Sequence, residues 1–86
     1  WIQLNRAGTD KYMGIAYSTA NQYKWFTGLR ELGTNRFSVY NFRDDSEPLT
    51  ILENGNVGLM NTSPLFRLQV QKTSNDPAIM IGGPYT

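Results

Sequence analysis

The chain has 86 residues, with eight Lys+Arg against seven Asp+Glu and neither His nor Cys. A lone domain of this size buries only about 60–65% of the surface its unfolded chain exposes, and without Cys or His no disulfide or Cys/His zinc site can reinforce it. Association with further chains is the remedy that remains.

The near-zero net charge and the scatter of basic residues from Arg6 to Lys72 give no stripe that could track a phosphate backbone, so no nucleic-acid partner is expected. The longest apolar run, residues 78–81, is four residues long, and no membrane insertion is expected either. The first residues, Trp1, Ile2, Gln3 and Leu4, already alternate like a strand, with no Met and no leader before them. That opening suggests an excised piece of a longer polypeptide.

Turn-forming clusters then recur about every 8–12 residues, which is the signature of an all-β chain of short strands. The first lies at residues 7–10. Met13, Ile15 and Tyr17 follow on one face of a strand, and residues 18–21 form the next turn. Residues 22–32 are ambiguous by spacing, because Tyr23, Phe26 and Leu29 recur at helical intervals. The pair Thr27 and Gly28 and the β-favouring Tyr23–Phe26 run predict a strand instead, with Tyr23, Trp25 and Leu29 aligned. After a turn at 32–35, Phe37 and Val39 share a face; residues 44–48, ending in Pro48, read as a turn; Leu49 and Ile51 then resume the alternation.

Asn54 and Gly55 predict a tight reversal with positive φ at its centre, joining residues 49–52 to a strand at 57–59. Gly58, inside that strand, marks a bulge or a backbone passing close by. Pro64 then leads into a strand at 66–70. A last turn at 74–77 precedes Ala78, Ile79, Met80 and Ile81, which echo the first four residues. Residues 1–77 would then be one repeat and residues 78–86 the opening of the next.

Asn54, Gly55, Asn56, Val57, Gly58, Pro64, Leu68 and Val70 carry a resemblance. They resemble the N-G-N-V-G-I-x-x-x-x-P-x-x-x-L-x-V element of trimeric phage tail fibres, tail spikes and related attachment fibres. Upstream, Trp25, Gly28, Arg30, Phe37, Tyr40, Asn41 and residues 48–51 are also similar to what precedes that element, so the likeness covers roughly residues 23–70. The chain departs at Leu59, Met60 and Asn61, where the family more often reads Ile-Gly followed by Thr. The resemblance implies a homotrimer of intertwined short strands, a triple-stranded β-helix or β-prism-like fibre, located on a virion or an extracellular surface. It also implies a shaft or receptor-binding role, with a cell-surface polysaccharide as the ligand if the module binds one.

Catalytic chemistry finds little material. Without His or Cys neither a Ser-His-Asp nor a Cys-His constellation can form, and no serine shows S-x-x-K spacing. Tail spikes cleave glycans with paired carboxylates, yet Asp44, Asp45 and Glu47 fall in what reads as a solvated turn. No 12-residue calcium loop accompanies them, and the glycines form no phosphate cradle. No catalytic residue, metal or cofactor is expected.

Eight rings fall between Tyr12 and Phe42. Trp25, Phe37 and Phe42 are expected to fill a shared core. Tyr12, Tyr17 and Tyr23, with Arg30 and Arg36 as hydrogen-bond donors, form the candidate ligand-binding set, because tyrosine offers a sugar both a stacking face and a polar handle. Two further readings stay open: a non-catalytic part of a glycan-depolymerising spike, and a stand-alone lectin-like β domain.

Overall fold

The computed structural model describes residues 1–71, 79 and 82. It is an all-β chain with six strands: β1 Met13–Thr19, β2 Gln22–Leu29, β3 Phe37–Asn41, β4 Ser46–Ile51, β5 Val57–Leu59 and β6 Leu68–Val70. They form one sheet in sequence order. The first five are antiparallel neighbours, and β6 joins β5 in parallel. The expected turn at 74–77 and strand at 78–81 lie outside the described residues, Ile79 excepted.

The β1–β2 hairpin closes through Ala20 and Asn21, both at positive φ (52° and 65°), the twist that suits a two-residue loop. Residues 22–29 form a strand, as the ring-rich run predicts, and not a helix. Two expectations need correction nearby. Residues 1–4 carry no strand, because β1 is the outer strand of the sheet and the segment does not pair with it. The register also slips between Tyr17 and Ser18, leaving Lys24 as an extra residue opposite the pair. That bulge turns Tyr23 away from Trp25 and Leu29 and onto the other face.

Pro48 lies inside β4 and not in the preceding turn. A proline in a strand needs a place where no ladder N–H is required. The register slip between Val39 and Asn41 supplies it, since Tyr40 then faces two residues of β4. The turn after β4 also differs in type from expectation. Gly55 N–H donates to the Leu52 carbonyl at 2.9 Å, Asn56 N–H donates to Asn54 Oδ1 at 2.9 Å, and Gly55 (φ 95°), not Asn54, takes the positive φ. This is a wider loop that ends in a left-handed glycine, not a two-residue reversal.

The eight residues 60–67 carry the chain from β5 to its parallel neighbour β6, which begins at Leu68 and not at residue 66. A connection this short is unusual for a parallel pair. It works here because both strands are three residues long. The crossover folds over Gly58: a Cβ there would lie 1.9 Å from the Asn61 carbonyl oxygen and 3.2 Å from Pro64 Cγ. The close backbone anticipated at Gly58 therefore comes from the same chain.

Met60, which opens the crossover, holds φ at 56°. That is the left-handed region, a conformation a glycine would take without strain. A non-glycine residue there costs on the order of 1 kcal/mol. Met60→Gly is expected to leave the melting temperature unchanged or raise it by a few degrees, despite the extra freedom it gives the unfolded chain. A thermal melt checks this, and a clear loss of stability would contradict it.

The two faces of the sheet differ in kind. Register and alternation place Met13, Ile15, Tyr17, Trp25, Leu29, Phe37, Val39, Leu49, Ile51, Val57, Leu59, Leu68 and Val70 on one face, with Thr19, Gln22, Thr27, Asn41 and Ser46 among them and no charged residue. No second sheet is described over that face, where Ile15, Tyr17, Trp25, Phe37, Leu59 and Leu68 are exposed and Met13, Leu29, Val39, Leu49, Ile51, Val57 and Val70 half-buried. The opposite face carries Phe26, Gly28, Ser38, Tyr40, Thr50 and Gly58, all buried. Only Phe26 and Tyr40 are buried hydrophobic residues among those described. Of the large rings expected in a shared core, Trp25 and Phe37 lie on the open apolar face, and Phe42 is half-buried on the other.

Candidate ligand-binding surface

The closed face is covered by side chains that arrive from the strand ends. Tyr12 precedes β1 and Arg30 follows β2, and alternation sends both to the face that carries Phe26 and Tyr40. The Arg30 guanidinium carbon lies 3.9 Å from the centroid of the Tyr40 ring, a stacking distance. It is also 5.2 Å from the Tyr12 ring, 5.3 Å from Phe42 and 5.8 Å from Phe26. Phe42 meets Tyr40 edge-on at 5.0 Å, and Tyr23 packs on Phe42 at 5.4 Å. One cation therefore sits in a cluster of rings, each contact of a kind worth about 0.5–2 kcal/mol.

Arg36 is engaged elsewhere. Its Nη2 donates to Glu47 Oε2 at 2.6 Å and to Glu31 Oε2 at 3.3 Å. The Arg36 and Glu47 side chains are only 16% and 11% exposed, so the pair is largely out of water and in structural use. The Nε of Arg36 and the hydroxyls of Ser38 and Thr50 are buried on the same face without a protein partner. A third arginine, Arg6, donates to the backbone carbonyls of Lys11 (2.9 Å) and Thr34 and to Asn35 Oδ1 (2.8 Å), tying the first residues to the β2–β3 loop.

The five sequence-predicted residues are therefore divided. Tyr12, Tyr23 and Arg30 converge on one ring-lined surface, where Tyr12 and Tyr23 are 60% and 63% exposed. Tyr17 lies on the open apolar face, its hydroxyl 3.3 Å from the Thr27 hydroxyl. Arg36 is bound to carboxylates. Sequence reasoning placed Tyr40 and Phe42 in no binding surface, although they form its floor. Their i, i+2 spacing was visible, but the bulge that brings Tyr23 to them was not.

The acidic cluster is likewise split. Asp44 accepts from Asn41 Nδ2 at 3.5 Å, while Glu47 turns to Arg36. Among the described residues no three carboxylates converge. A concavity of about 470 Å³ lies between residues 33–36 and 52–54, away from the rings. Its Asn35 Nδ2 donates to Glu53 Oε1 at 3.2 Å, and no ring lines it for a sugar to stack on. The aromatic surface is the better candidate on chemistry. No protein-family model, curated protein or solved structure matches this chain.

Proposed function

We propose that this chain is a module of a trimeric attachment fibre, on a virion or an extracellular surface, which packs its apolar sheet face against copies of itself and turns the aromatic face outward. One observation carries the reading: a six-stranded sheet whose apolar face lacks a charge and, among the described residues, a second sheet over it, with six of its large apolar side chains exposed. Contiguous apolar surface of that extent marks an interaction site. With Phe26 and Tyr40 the only buried hydrophobic residues among those described, an independently stable lectin-like monomer is disfavoured. The fibre-like element at residues 54–70 supports three chains, because the proteins it resembles are trimers.

In this reading the module is a mechanical spacer whose outward rings hold a cell-surface glycan. Native mass spectrometry of the chain tests it. The expected species is a trimer at micromolar concentration, and a folded monomer under those conditions would overturn it.

A further inference from the structure

Arg30 differs from Arg6 and Arg36 in what surrounds its side chain. Arg6 and Arg36 spend their donors on carbonyls and carboxylates, whereas Arg30 enters none of the ion pairs or side-chain hydrogen bonds among the described residues. Its guanidinium carbon lies over rings, above all Tyr40 at 3.9 Å. Rings occupy the face of a guanidinium but accept nothing from its edge. The five N–H donors of that edge form a rigid fork matched to a carboxylate. The surrounding rings also fix the fork in place, so little side-chain freedom is lost when an anion binds.

We propose that Arg30 anchors a subsite for an acidic sugar, its fork taking the carboxylate of a uronic-acid-type residue while the exposed rings of Tyr12 and Tyr23 stack on neighbouring pyranose faces. The proposal rests on the glycan-binding reading above and names the ligand class. Two observations favour a sugar over an acidic peptide. Tyr12 and Tyr23 present flat, largely exposed rings connected to Arg30 through ring contacts of 5.2 Å, 5.3 Å and 5.4 Å. Stacking on such rings is how apolar pyranose faces are held. The chain's charge of +1 also supplies no wider basic field for a polyacidic peptide.

The test is an NMR titration of the assembled protein with a trigalacturonate probe. Maltotriose serves as the neutral control, a sulfated trisaccharide as the alternative anion, and a short polyglutamate as the peptide control. The acidic trisaccharide is expected to shift the Arg30 Nε–Hε signal and the Tyr12 and Tyr23 ring signals, with little response to maltotriose or polyglutamate. Arg30→Gln should weaken trigalacturonate binding by about tenfold or more, the loss expected for a bidentate charge-assisted pair. Arg30→Lys, which keeps the charge and loses the fork, should fall between.

The wild-type titration decides the matter even if a variant fails to fold. No response at about 10 mM trigalacturonate, equal response to maltotriose, or stronger response to the sulfated probe or polyglutamate would each overturn the proposal. Mass measured on the same samples separates it from the assembly reading. A trimer that ignores trigalacturonate overturns this inference alone, and a monomer that binds it through Arg30 overturns the trimer alone.

Discussion

Val39→Lys is expected to abolish the assembled species. Val39 stands at the middle of the apolar face, paired with Thr27 on β2 and Leu49 on β4. In an assembly that buries this face, a lysine there would be desolvated with no carboxylate within the face to meet it. Burying an unpaired charge costs several kcal/mol, commonly about 3–5, and three symmetric copies would each bear it. Ser18→Lys provides the control, since Ser18 is exposed and belongs to the opposite face. Sedimentation of the two variants should show a trimer for Ser18→Lys and monomeric or aggregated chain for Val39→Lys. Equal assembly of both would place the contact between chains somewhere other than this face.

Gly58→Val should strongly destabilise the single chain. The obstacle to its Cβ is the Asn61 carbonyl at 1.9 Å, which is backbone and cannot rotate away. The crossover would have to lift, carrying off Pro64, which is buried, and the bond from Val57 N–H to the Arg67 carbonyl (2.8 Å) that fastens β6 to the sheet. Overpacking costs typically about 1–3 kcal/mol, and a backbone obstacle puts this case at the upper end. For a chain of this length that corresponds to a fall in Tm of roughly 10–20 °C. Hydrogen exchange should accelerate first at Val57 and Gln71, whose amides bond across this junction. An unchanged melt would show that the crossover yields freely.

Much of the sheet was legible from local pattern. Met13, Ile15 and Tyr17, then Phe37 with Val39, Leu49 with Ile51 and Val57 with Leu59, lie on one face as their alternation predicts. Period-two spacing is a property of the strand itself. What escaped depended on partners distant in sequence. Residues 1–4 have the pattern of a strand, but a pattern cannot supply a neighbour, and β1 leaves them unpaired. One extra residue at Lys24 reversed the side of Tyr23, a change no propensity records. Pro48 read as a turn because the bulge that accommodates it lies across the ladder, at Val39 to Asn41.

The candidate surface was half legible for the same reason. Tyr12, Tyr23 and Arg30 were chosen for their chemistry, and the fold brings them together. Arg36 carries the same chemistry but lies beside Glu47 and Glu31, which residue type alone could not reveal. Tyr17 differs from Tyr12 only by its place in the alternation, five residues on and so on the other side of the strand.

The central claim is that the apolar face is covered by other copies of the chain, and Trp25 reports on it directly. Trp25 lies on that face and is 41% exposed in the single chain. Trp1 is the second of the two tryptophans, so Trp1→Phe leaves Trp25 as the sole emitter. Acrylamide quenching of this variant, followed through a dilution series, is the decisive measurement. The account predicts a blue-shifted, poorly quenched emission at concentrations where chains assemble, shifting to red and becoming accessible on dilution. A Trp25 that is readily quenched and independent of concentration, in a chain that remains folded, would contradict it.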